Sequence, residues 1–331
     1  MSMQKERRVD EKLTKTGITT ESFPVVRARR SSRVWRSIKR NWQLYALIAP
    51  VVVYYIIFHY LPMYGVQIAF KDFIASKGIW DSPWVGFKHF ERFFSSYFFE
   101  RLIVNTLTIS LYTLLVSFPI PILLALMLNE AKAQWFKKTV QTITYAPHFL
   151  SVVVVVGMLF IFLNPSTGIV NHLIVALGGE PIAFMTDANW FKTLYVLSDV
   201  WQTMGWSSII YLAALSGVDH QLHEAATIDG ASKLQRIWHI NIPTIAPTII
   251  ILLILNLGTV MAVGFEKIFL MQNNLNLASS DVISTYVYRS GILDAQYSFS
   301  AAVGLFNSVV NFALLIIVNS IARRVSTTSL W

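Results

Sequence analysis

The sequence predicts an all-α polytopic membrane protein with six transmembrane helices, and three observations carry that prediction. First, 54% of its 331 residues are hydrophobic and only 14% are charged, which is too apolar for an ordinary soluble domain. Second, several apolar runs reach the roughly 20 residues that a helix needs to cross a hydrocarbon core of about 30 Å. Third, the charge is unevenly placed. Residues 1–42 hold 12 Lys or Arg against four acids, a net of +8, while the remainder nets only +1. The overall +9 therefore describes a tail rather than the body, which argues against nucleic acid as a partner.

The spans follow in order. The first covers 44–64, and the second covers 102–128, where the "FPIP" stretch should kink the helix at Pro119 and Pro121. The third covers 139–163, the fourth 191–215, the fifth 245–265 and the sixth 301–321. Residues 1–42 read as a disordered basic tail lying against an anionic membrane surface, and 43–325 as the membrane domain. About forty polar residues precede the first apolar run, so the N-terminus is not expected to be a cleavable signal peptide.

Orientation follows from Lys and Arg near the helix ends. The tail is basic, Lys132, Lys137 and Lys138 follow the second span, and Arg323 and Arg324 follow the sixth. The segment 164–190 has neither residue. This places both termini in the cytoplasm and 164–190 outside. The first loop dissents with Lys71, Lys77, Lys88, Arg92 and Arg101, but it also carries four acids and is outweighed.

With six spans the loop 217–243 faces the cytoplasm. Within it Glu224, Ala225 and Ala226 begin a helix that Gly230 interrupts, since glycine accepts positive φ and turns the chain. Asp229 or Ser232 can cap the helix that follows, which has an apolar stripe of Leu234, Ile237 and Trp238. Pro243 and Pro247 mark the entry to the fifth span. Such a helix–turn–helix lies along the membrane face and offers a compact knob to a partner.

The pattern E-A-A, three residues, G, nine residues, I, one residue, an aliphatic and P is met by Glu224, Ala225, Ala226, Gly230, Ile240, Ile242 and Pro243. It resembles the EAA loop of permease subunits of binding-protein-dependent ABC importers, departing only at Ile242, where Leu is usual. "FHYLPMYGVQIAFKDF", "WVGFKHFERFF", "NTLTISLYTLLVSFPIPILLALMLNE", "YAPHFLS" and "VISTYVYRSGI" are similar to the maltose-type carbohydrate branch, and most to its oligosaccharide and polysaccharide-fragment subgroup. The resemblance covers nearly everything after residue 43. It implies a type I ABC importer permease fold in a bacterial plasma membrane. It also implies a coupling role for Glu224, Ala225, Ala226, Asp229 and Gly230 against an ATP-hydrolysing subunit. The implied partners are a second homologous permease, two ATP-binding subunits, an extracytoplasmic solute-binding protein, membrane lipid and a carbohydrate cargo.

No G-x-x-x-x-G-K-[ST] loop and no Gly-Lys pair occurs, so ATP phosphates cannot be cradled here in that way. No cofactor is expected in this chain, and Mg-ATP belongs on the partner subunits. No G-x-S-x-G elbow or H-E-x-x-H helix occurs, and the absence of cysteine removes thiolate chemistry. The chain therefore reads as a transporter subunit rather than an enzyme. His220, His223 and Glu224 share a helical face and invite a metal reading, but solvated histidines beside a coupling helix describe them better.

Polar residues within a bilayer default to functional hypotheses. Tyr195, Asp199, Gln202 and Trp206 recur at spacings of four, three and four in the fourth span and so share one face. Together they offer hydrogen bonds to sugar hydroxyls and a ring for stacking. Asn256 in the fifth span, and Asn307 and Asn311 in the sixth, join them as substrate-pathway candidates. The competing view is that these residues bond helix to helix. Alternatives for the whole chain are a permease for a non-sugar solute, or an integral membrane transferase acting on lipid-linked sugars. The latter lacks the paired surface carboxylates it would need.

Overall fold

Two proline-bearing stretches, at Phe118–Pro121 and Ala146–Phe149, interrupt the second and third spans and position much of what packs against them. The computed structural model describes residues 39–325, and the chain divides into two units, Met1–Tyr64 and Gly65–Trp331. All but the last four residues of the expected basic tail lie outside the described residues. The described residues contain no strand, only two isolated bridges in the loop after the first span.

In the first unit α1 (Trp42–Tyr55) passes through a π-turn, Ile56–Tyr60, into Leu61–Met63. None of these residues is buried. Pro62 follows the widened turn closely. A proline ring clashes with the carbonyl four residues back in a regular helix, and a π-turn moves that carbonyl aside.

The second unit begins with an irregular segment and a short helix, α2 (Lys88–Phe94). The second span comprises α3 (Phe99–Ser117) and α4 (Pro119–Glu130), and its regular pattern is interrupted at Phe118, just before the first of the two prolines. The third span differs from expectation. It is not one helix over 139–163 but α5 (Gln134–Tyr145) and α6 (Val152–Phe162), bent by 102° across a turn at Ala146–Phe149. Pro147 lies in that turn, Leu150 is extended, and the Ser151 side chain caps α6 by accepting from Val154 N–H. A short helix, α7 (Ile169–Ala176), then leads to α8 (Ala188–Leu215), where the fourth span is expected.

Two further boundaries differ. α9 (His220–Ile228) is separate, but α10 (Lys233–Arg236) continues through a π-turn at Ile237–Asn241 into α11 (Ile242–Gly258). The run Lys233–Gly258 is thus one 26-residue membrane-length helix, not a surface helix followed by a span. Pro243 stands just beyond the π-turn, as Pro62 does beyond the first one. The fifth span also stops at Gly258 instead of 265: Thr259 leaves helical geometry with φ −116° and ψ 14°, and its hydroxyl donates to the Asn256 carbonyl at 3.1 Å. Residues 259–264 are non-helical, and then come α12 (Phe265–Met271), α13 (Ile283–Tyr288) and α14 (Tyr297–Val325), the sixth span.

Four helices are long and apolar enough to cross a membrane, and the bent pair α5–α6 makes a fifth candidate. α8 is not among them because it is too polar, although 28 residues span about 42 Å at 1.5 Å each. It is also the helix against which α3, α4, α5 and α11 pack. At Gly205 a β-carbon would overlap the Thr144 carbonyl, so only glycine lets α8 and α5 close to this distance. A cluster of Ile109, Phe191, Val196 and Ile268 forms the core around its first half, and Ala125, Tyr211, Leu215 and Ile245 form another around its second. Elsewhere the fully buried Asp281 carboxylate is held by Arg101 at 2.7 Å and Arg289 at 3.1 Å, tying α3 to the segment after α12.

Candidate functional site

The breaks just described leave a cavity of about 720 Å³ between α3, α8, α11 and the non-helical 259–264 segment. α3 contributes Ser110, Thr113 and Ser117, spaced three and four apart so that their hydroxyls share one face. α8 contributes Tyr195, Asp199, Thr203, Trp206 and Ser207, and α11 contributes Asn256. Thr259 begins the non-helical wall. Short hydroxyl side chains, the rings of Phe118, Tyr195, Trp206 and Tyr211, and little charge suit a cargo rich in hydroxyl groups.

Asp199 is the only charged residue on this wall among the described residues. Its Oδ2 accepts from the Ser117 hydroxyl at 3.4 Å, and its Oδ1 lies 3.7 Å from the ammonium of Lys267 on α12. Trp206 is 46% exposed, with one face stacked on His148 at 4.5 Å between nearly parallel rings and its edge against Phe149. The proline turn between α5 and α6 carries both of those rings, so the bend in the third span backs the cavity's tryptophan.

The structure brings together four of the seven residues the sequence suggests for a pathway: Tyr195, Asp199, Trp206 and Asn256. Tyr195 is mostly buried, and Asn256 donates to the Leu252 carbonyl of its own helix at 2.8 Å. Gln202 does not reach the cavity. It is buried and its Nε2 donates to the Leu150 carbonyl at 3.0 Å, holding the extended residue between α5 and α6. Asn311 accepts from the Met261 N–H at 2.9 Å, which pins the non-helical segment to α14. Asn307 also lies off the wall, with its buried Oδ1 lacking a hydrogen-bond partner. The hydroxyls of α3 were missed. Their signal was present in the three-and-four spacing of Ser110, Thr113 and Ser117 within an apolar run. Lys267 gave no such signal, because its partner is 68 positions away on another helix.

The second candidate region is 217–243. Asp219 caps α9 by accepting from Gln221 N–H, and Glu224 is exposed on its surface. A groove of about 800 Å³ runs between this helix and the end of α4, with Asn129, Glu130, His223, Glu224 and Arg236 on its walls. Gly230 has φ +78°, with no atom within 4 Å of where a β-carbon would sit. The constraint at that position is conformational rather than steric. Ser232, and not Asp229, caps the next helix, in a reciprocal capping box with Gln235. Arg236 donates to the Thr227 hydroxyl at 2.7 Å and fastens the two helices together. Ile228, Leu234 and Trp238 are each more than two-thirds exposed, an apolar patch ready to be covered. Among the described residues no cluster able to hold a metal occurs, at His220, His223 and Glu224 or elsewhere.

Comparison with known proteins bears on both regions. Residues 117–327, which contain the loop and most of the cavity, match the family of binding-protein-dependent transport system inner membrane components. Protein LplB of Bacillus subtilis (strain 168) is 46% identical over 301 residues, covering 91% of this chain and 95% of that protein. The polygalacturonan/rhamnogalacturonan transport system permease protein YteP of the same organism is 45% identical, covering 85% and 88%. A chain from a bacterial alginate ABC transporter, crystallised with its alginate pentasaccharide-bound periplasmic protein, aligns with a TM-score of 0.84 at 43% identity, over 90% of this chain and 100% of its own. Family match, close relatives and shared fold converge, and the chain belongs to the inner membrane components of binding-protein-dependent transport systems, the permease subunits of ABC importers.

Proposed function

We propose that this permease forms half of a translocation pathway for a carbohydrate oligomer, and that the cavity beside α8 is its cargo-contacting wall. The observation that carries this is the cavity's lining, which combines hydroxyl side chains from α3, α8 and the non-helical 259–264 segment with a half-exposed tryptophan. Hydroxyls exchange hydrogen bonds with sugar hydroxyls at a net worth of about 1 kcal/mol each, and the ring stacks on an apolar sugar face. Both are weak enough to release cargo. The names of YteP and of the alginate transporter place carbohydrate polymers or their fragments with proteins very similar to this one.

In this reading the loop 217–243 is cytoplasmic and docks on one of two ATP-binding subunits, which hold the Mg-ATP. Glu224, Ala225, Ala226, Asp229 and Gly230 form the contact, and both chain termini lie on the same side. A second, homologous permease completes the pathway. The segments 71–101, 164–190 and 272–297 receive an extracytoplasmic solute-binding protein, as the periplasmic protein in the alginate complex suggests.

Reconstitution of the whole complex in vesicles tests the assignment. Gly230→Val forces a β-branched residue into positive φ, at a cost of about 1–3 kcal/mol, and Glu224→Lys reverses a charge at the docking face. Both variants should assemble and lose uptake of labelled oligosaccharide. Wild-type uptake by both would remove the coupling role from this loop. Recovery of a functional complex containing only this permease, as a homodimer, would remove the second permease.

A further inference from the structure

Resting on the carbohydrate reading above, we infer that Lys267 sets the charge of the cargo this cavity accepts, offsetting Asp199 so that carboxylate-bearing (uronate) oligosaccharides can pass. Lys267 is 6% exposed, and its ammonium has no hydrogen-bond acceptor within reach. What faces it is the Asp199 carboxylate at 3.7 Å, an ion pair beyond hydrogen-bond length, and the Tyr195 ring with its centroid at 5.1 Å. A buried ammonium so loosely held is expensive, and a purely structural lysine would be expected to find carbonyl acceptors, as Lys71 does on Ile79 and Trp80.

Asp199 explains the placement. It is partly exposed, and it carries the only charge on the cavity wall among the described residues. Left alone, that carboxylate would suit neutral sugars, accepting from their hydroxyls, and would repel a uronate at close range in a poorly screened site. The ammonium directly behind it cancels the repulsion without itself occupying the wall. Because Lys267 has unsatisfied donors, and Asp199 receives only a long bond from Ser117, a cargo carboxylate entering beside Asp199 can share the lysine's charge with it.

The test uses the complete complex in vesicles and two labelled oligosaccharides of equal length, one of neutral hexose and one of uronate. Wild-type vesicles should take up the uronate oligomer. Lys267→Met should lower uronate uptake at least tenfold relative to the neutral oligomer. Asp199→Asn in the Lys267→Met background should bring the ratio back to within about threefold of wild type. Should Lys267→Met fail to assemble, the single variant Asp199→Asn serves instead, and it should shift the ratio at least threefold toward the uronate. An unchanged ratio in whichever single variant assembles overturns the inference, as does a double variant that stays as selective as Lys267→Met. Wild-type vesicles that move the neutral oligomer but not the uronate overturn the inference alone. Wild-type vesicles that move neither carbohydrate, with ATP hydrolysis intact, overturn the proposed function beneath it.

Discussion

α8 and α14 have nearly the same length, 28 and 29 residues, yet only α14 is apolar enough to be recognised as a membrane span. Ten residues of α8 are buried, among them Tyr195, Ser198, Gln202 and Ser208. α14 instead leaves Phe312, Ile316, Ile317 and Ile321 exposed along its second half. A helix surrounded by protein tolerates polar atoms because they find partners there, while a helix that faces lipid must be apolar. The polar groups also differ in use. On α8, Tyr195 and Asp199 line the cavity, Gln202 locks the third span's bend, and Ser198 and Ser208 bond back to their own helix, whereas Asn311 of α14 fastens a neighbouring loop. Among the membrane-length helices, the one packed against by α3, α4, α5 and α11 is thus the one whose mean hydropathy is lowered by polar residues.

Paired substitutions test that contrast. The largest difference should come from the glycines. Gly205→Leu drives a side chain into the Thr144 carbonyl and should destabilise the purified complex by about 3 kcal/mol. A β-carbon at Gly304 of α14 meets nothing within 4 Å, so Gly304→Ala should be neutral or gain up to about 1 kcal/mol. Thermal melts in detergent read both, and equal losses would end the distinction between the two helices. Next, Gln202→Ala orphans the Leu150 carbonyl and should cost about 1–3 kcal/mol, lowering complex yield while leaving the ranking of oligosaccharides unchanged. An altered ranking with full yield would return Gln202 to the cargo path. The smallest effect belongs to the aromatic pair. Trp206→Ala should weaken apparent affinity several-fold, through loss of about 1 kcal/mol of stacking. Phe312→Ala, on the exposed side of α14, should leave affinity as it was, and a matching loss there would show that Trp206 acts through general packing.

What could be read from the residues alone was whatever is decided over a few neighbouring positions. The positive φ at Gly230, a cap at Asp229 or Ser232 and the shared face of Tyr195, Asp199 and Trp206 all follow from local spacing, and the structure selects Ser232. Gln202 satisfies the same spacing but sits at the edge of the stripe, where a carbonyl from another helix claims it. The bend at Ala146–Phe149 was disguised because Val152 to Phe162 is so apolar that a continuous span looked natural across Pro147. The end of the fifth span was misplaced for a similar reason: apolar residues 260–263 continue its composition after its hydrogen bonding has stopped. Lys267 lay beyond reach altogether, since nothing in "GFEKIF" hints at a carboxylate on α8.

The unbroken run from Lys233 to Gly258 has a mechanical consequence. A jointed loop would absorb a push at its surface by rotating at the joint. A continuous rod of 26 residues, about 39 Å long at 1.5 Å per residue, instead works as a lever. Tilting it by about 5° around one end swings the other by roughly 3 Å, the size of a hydrogen bond. Leu252 and Asn256, on the cavity wall, stand near the far end of that rod from Lys233. A small displacement delivered at the loop therefore arrives at the cavity as a change of one contact's width, with no intervening segment to fold or unfold.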